Sequence, residues 1–155
     1  MATLHVRLFG KFCVQCHEQP LEGFDARKVQ ELFCYLLLYR DHPHPRETLA
    51  NLLWNDCSTT QSKTYLRKVL WQLQAALSPL RKCNSSQLLM VESDWVQLNS
   101  ETDLWLDVAM FEEAFTHVRG MPGTELDLHC VQALQNAVDL YCGDLLEGWY
   151  QDWCL

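Results

Sequence analysis

The sequence predicts an α+β protein: a strand ribbon, three helices, a second ribbon, and then helices only. Three observations carry this reading. Apolar residues alternate from Leu4 to Val14, then recur at helical spacing in three blocks between Phe24 and Leu77, and the charge divides sharply along the chain. Residues 1–82 hold eleven of the twelve Lys and Arg and seven of the twenty Asp and Glu, a net of +4, whereas residues 83–155 hold Arg119 against thirteen acids, a net of −12. Such an asymmetry implies two functional parts, the first able to face an anion and the second not.

In the opening segment Leu4, Val6 and Leu8 fall on one side and His5, Arg7 and Phe9 on the other. Gly10 interrupts before Phe12 and Val14, which predicts a strand pair or a bent strand. The polar stretch "QCHEQP" then turns the chain toward Leu21, so it forms a hairpin tip. Val29, Leu32, Phe33, Leu36 and Leu37 make one apolar stripe of a first helix, with Asp25 as its N-cap. That helix stops before Pro43 and Pro45.

A shorter second helix starts at Pro45 and carries Leu49, Leu52 and Leu53, with Trp54 closing it onto the core. "STTQ", Ser58 to Gln61, has the form of a capping box and opens a third helix over about Thr59 to Leu77, ended by "SPL". A polar linker, "KCNSSQ", precedes "LLMV" and "VQL", a ribbon with Ser93 and Asp94 at its tip. Beyond it, Leu104, Val108, Phe111 and Phe115 mark one helix, and Leu128, Val131, Leu134 and Val138 another, with "GMPG" between.

Composition narrows the function classes. With 48% hydrophobic and 21% charged residues the chain is globular, and 155 residues suffice for one ordinary domain or a small domain with part of another. No run of eighteen apolar residues exists and the first twenty do not resemble an export signal, which predicts a cytoplasmic protein with its eight cysteines reduced and mostly buried. Cys13, Cys16 and His17 spell C-x-x-C-H, the spacing of a covalent haem, and could also begin a zinc site. A haem needs export and a packed pocket, zinc needs a fourth ligand at a recognisable spacing, and His42 and His44 are better explained by a proline-flanked loop. A turn that contains thiols is therefore favoured, and no metal or cofactor is expected. The six glycines form no phosphate-cradling loop and no nucleophile elbow is present, so no catalytic residue is assigned.

The third helix is the strongest candidate for function. With Leu66, Leu70, Leu73 and Leu77 on one face, Gln61, Thr64, Lys68, Trp71 and Gln72 point largely the other way, flanked by Lys63, Arg67 and Gln74. A capped N-terminus followed by Lys and Gln at helical spacing suits base edges and phosphates. The same pattern is also that of a solvated amphipathic helix.

Five segments together resemble, in order, the SARP-type bacterial transcriptional activators: "LHVRLFGKFCV", "ARKVQELFCYLLLYRDHPHPRETLANLLW", "KTYLRKVLWQLQAAL", "DLWLDVAMFEEAF" and "LYCGDLLEGWYQDW". The resemblance implies an OmpR-like winged helix over residues 1–100 (N-terminal β-ribbon, three helices, C-terminal wing hairpin), followed at 101–155 by the first part of an all-α, TPR-like activator domain. It implies binding of double-stranded DNA at promoter-proximal repeats, with contact to RNA polymerase and homodimerisation through the helical part. Carried over by position, Thr64, Lys68 and Gln72 would face bases and Lys63, Arg67 and Gln74 phosphates, with Trp71 also on that face. The chain departs from the family where Gln72, Gln74 and Ala75 stand in place of common arginines, and where the wing tip "ESDW" is acidic.

Overall fold

The computed structural model describes residues 4–81, 88–99, 104–120, 122–123, 127–141, 143–146 and 148–149. The linker "KCNSSQ", Met121 of "GMPG", the expected boundary at residue 100 and the last six residues lie outside them. The elements are β1 (Leu4–Arg7), β2 (Cys13–Cys16), β3 (Gln19–Pro20), α1 (Arg27–Leu38), β4 (His44–Pro45), α2 (Arg46–Leu53) and α3 (Thr59–Arg81). After them come β5 (Leu89–Val91), β6 (Trp95–Leu98), β7 (Leu104–Leu106), α4 (Asp107–Val118) and α5 (Leu128–Asp139). The chain packs as two compact units, one centred on Cys16–Asp103 and the other made of Leu4–Gln15 with Leu104–Leu155. The packing thus groups the first strand with the acidic C-terminal segment, whereas the sequence expectation put it with the three helices.

In the first unit α1, α2 and α3 pack on one another. The expected stripe of α1 is buried throughout, as are Leu66, Leu70, Leu73 and Leu77 of α3. Two starts differ from expectation. Helix α1 is preceded by Ala26 with no side-chain cap, so Asp25 does not cap it, and Pro45 is the N-cap of α2 rather than a residue of its first turn. The amide of Gln30 braces the entry to α1 by donating to the Phe24 carbonyl.

At the start of α3, Ser58 Oγ accepts from Gln61 N at 3.3 Å, which is the hydroxyl half of the capping box. The helix runs on through Ser78 and Pro79 to Arg81 instead of stopping at Leu77. Pro79 has no N–H to give the Ala75 carbonyl, and Ser78 Oγ donates to that carbonyl at 2.8 Å instead, which is why the helix can continue. Gly23, at φ +98°, lies so close to α3 that a Cβ there would meet the Ala76 Cβ at 2.7 Å.

The ribbon β5–β6 is antiparallel, with Leu89 opposite Leu98 and Val91 opposite Val96, and β4 adds on the other edge of β6. His44 is therefore a strand residue, not part of an open loop. It is 3% exposed, and its Nε2 lies 2.8 Å from the Tyr39 carbonyl. Burial at both ends of α1 is also polar: Lys28 Nζ donates to the Leu53 carbonyl at 2.7 Å and pairs with buried Glu31 at 3.1 Å.

In the second unit β1 lies parallel to β7, with Leu4 opposite Leu104 and Val6 opposite Leu106. The residues from 104 on are thus not helical alone: Leu104 is in a strand, and α4 begins at Asp107. The periodicity argument failed there because three residues are too few to distinguish a strand from a helix's first turn. Helices α4 and α5 pack together. The expected apolar stripe of α5 is not its buried side, since Leu128, Val131 and Val138 are exposed while the small residues Cys130 and Ala137 are buried. The buried positions of α5 are thus small side chains, and the larger ones are left outward. Downstream, Gly10 N donates to Asp144 O and Leu146 N to Leu8 O at 2.9 and 2.8 Å, so residues 144–146 bridge to the segment that follows β1.

The C-x-x-C-H segment forms β2 and a turn in which His17 and Glu18 adopt φ 53° and 64°. This is the expected hairpin tip, built on two left-handed residues. Cys34 and Cys130 are buried, but Cys13, Cys16 and Cys57 are half-exposed, because β2 and the approach to α3 lie at the surface; among the described cysteines the expectation of mostly buried thiols holds for the first two, and Cys83, Cys142 and Cys154 lie outside the described residues.

Candidate nucleic-acid interface

The polar side of α3 follows from its apolar side. A residue every 100° leaves one face free once Leu66, Leu70, Leu73 and Leu77 are committed to the core. Lys63, Thr64, Arg67, Lys68, Trp71 and Gln74 are all exposed on that free side, and Gln72 is half-buried. Lys63, Arg67 and Lys68 make no hydrogen bond or ion pair with any described residue. Three cations within six residues therefore stand without internal counter-charges. Thr64 spends its hydroxyl proton on the Thr60 carbonyl at 3.0 Å, so only its oxygen lone pairs remain to accept.

No acid occupies the first turn of α3, so the positive end of its dipole meets no carboxylate there, while Ser58 Oγ takes the Gln61 amide. Just before it, the Cys57 thiol lies 3.7 Å from Asp56 Oδ1. Desolvation, and then the charge of Asp56, push this thiol above its ordinary pKa, which disfavours a nucleophilic role. Tyr65 lies against Trp54, with ring centroids 5.8 Å apart, and this pairing ties the exposed flank of α3 to the end of α2.

Two clefts border this face. One, of about 410 Å³, is lined by Pro45, Arg46, Glu47, Lys63, Leu66, Arg67, Ser93 and Asp94, which places the tip of the β5–β6 ribbon beside the basic flank of α3. The ribbon is anchored there by Arg46 N donating to the Asp94 carbonyl at 2.9 Å. The other, of about 470 Å³, lies on the opposite flank and brings Trp71 and Gln72 together with Glu22 and Asp25. Trp71 is 69% exposed, a large apolar surface for a residue that packs on no core.

All seven residues singled out from the sequence thus lie on one helix face. Arg46, Glu22 and Asp25 were missed, since each comes from another element and no local spacing links it to α3. His42 and His44 stack on each other at 4.4 Å, away from Cys13 and Cys16 in sequence, and no cluster of three metal-ligating side chains occurs among the described residues.

No family model matches the chain, and no curated protein matches it either. Its fold is similar to that of Mycobacterium tuberculosis EmbR, solved in complex with a low affinity phosphopeptide. The TM-score is 0.72 at 16% identity, over 95% of this chain and 38% of that one. At that identity the likeness is one of fold: a mixed α/β arrangement of five helices and small sheets. The chain therefore spans well under half the length of the solved protein. No helix among the described residues is long and apolar enough to cross a membrane.

Proposed function

We propose that this chain is a DNA-binding transcriptional regulator of the SARP type. Residues 1–100 act as a winged helix, α3 enters the major groove of double-stranded DNA, and the β5–β6 ribbon is the wing. The observation that carries the reading is the unpaired basic and polar face of α3 standing beside that ribbon. Duplex DNA offers both a dense phosphate charge for Lys63 and Arg67 and base edges for Lys68 and Gln72. The fold likeness to EmbR, a SARP-family regulator, supports a regulatory role. The acidic helical part, residues 101–155, does not compete for DNA and serves for contact with RNA polymerase and for homodimerisation. The site of action is the cytoplasm, with no membrane partner.

Selection of bound sequences from random duplex tests this directly. Enrichment of a repeated motif is expected, with binding weakened about five-fold or more by Lys68→Ala or Gln72→Ala, since a good base contact is worth roughly 1–3 kcal/mol. Weak binding abolished by salt and indifferent to both changes would favour a second reading, a protein-interaction or signal-input module. That reading has its own support in the exposed Trp71, the acidic tip of the ribbon and the glutamines at 72 and 74.

A further inference from the structure

The cleft between the start of α2, the basic flank of α3 and the β5–β6 tip contains a group that the sequence reading did not weigh. Arg46 is the first residue of α2, and its Nε is buried without a hydrogen-bond partner. A guanidinium N–H that has lost water and gained no acceptor carries a cost that a native fold normally offsets. Lys63 and Arg67 line the same cleft, likewise unpaired among the described residues. The carboxylates of Glu47 and Asp94 also line it, yet neither forms an ion pair with the three cations. The cleft is thus lined by three cationic side chains that no carboxylate pairs with, one of them with an unsatisfied Nε.

We propose that this cleft seats a backbone phosphate of duplex DNA, with Arg46 joining Lys63 and Arg67 as its ligands. The assignment rests on the DNA-binding reading above. It adds a contact from a second helix and explains how a face lacking the arginines at 72 and 74 holds its register on the duplex. A planar guanidinium presents paired donors to phosphate oxygens, and a contact from α2 together with two from α3 fixes orientation as well as affinity. DNA is favoured over a free anion or a phosphopeptide because the cleft is continuous with the base-facing side of α3 through Lys63 and Arg67. Asp94 lies at its rim and weakens it.

The test is the salt dependence of duplex affinity in the full chain, measured on a selected site and on a scrambled duplex. In Arg46→Ala, affinity is expected to fall equally for both duplexes, with the slope of log K against log salt reduced by about one. This makes binding about three- to four-fold less sensitive between 50 and 200 mM salt. Arg46→Lys, which keeps the charge, should retain the wild-type slope, and Asp94→Asn should tighten binding. An unchanged slope in a folded Arg46→Ala protein overturns the proposal; should that variant not fold, an unaltered affinity in Asp94→Asn does so. Competition by submillimolar inorganic phosphate at constant ionic strength would reassign the cleft to a free anion. Failure of the wild type to bind any duplex, by contrast, overturns the DNA reading itself.

Discussion

A single carboxylate shows how little of the packing is visible in local pattern. Asp107 is 1% exposed and accepts from the backbone amides of Leu8, Phe9 and Val108 at 2.8–3.0 Å. In the sequence it is one of thirteen acids among residues 83–155, and no local pattern sets it apart from the others. Leu8 and Phe9 lie 99 and 98 residues away, and no spacing rule reaches that far. Replacing it by Ala leaves buried amides without acceptors, a loss of about 3 kcal/mol in urea denaturation, and Asn should recover part of it. By contrast, the candidate residues of α3 were legible because their placement depends only on the helix period and on which leucines are buried. Arg46 was not, since its relation to Lys63 and Arg67 is made by the fold.

Among the elements, the helices were read more securely than their ends. The stripes of α1 and α3 were visible, but Pro79 misled, because sequence alone does not reveal that a serine hydroxyl takes over the carbonyl that proline cannot serve. In α5 the largest apolar residues drew the reading to the wrong side, while the buried positions are held by small ones. This helix also supplies a test of its cap. Asp127 accepts from Cys130 N at 2.7 Å, and this bond, more than the neighbouring His129, holds its carboxyl below the usual carboxylate value. A depressed folded value means that the stabilisation is present at neutral pH and is lost as pH falls through it. Asp127→Ala is therefore expected to melt below the wild type at neutral pH, and the gap to close as pH falls below the usual carboxylate range, as followed by far-UV circular dichroism.

At the scale of the whole molecule, the division of charge was legible from counting alone, but the division of packing was not. Ribbon, helices, ribbon and helices suggest a cut after the second ribbon; the compact units instead join Leu4–Gln15 to Leu104–Leu155. Leu4, Val6 and Leu8 are fully buried and β1 is hydrogen-bonded to β7, so removing residues 1–15 should strip the acidic unit of an interior strand. The truncated chain is expected to lose protection against limited proteolysis between residues 107 and 139 first, while residues 27–81 stay resistant. Equal loss in both regions would mean that the two units do not stand independently.

The parallel pairing of β1 with β7 has a consequence for biogenesis. Strand β1 must wait while about a hundred further residues are made before its neighbour exists, so the acidic unit cannot close until β7 has left the ribosome. Until then Leu4, Val6 and Leu8 stay uncovered, and a nascent chain stalled before Leu104 is the form in which chaperones would find them.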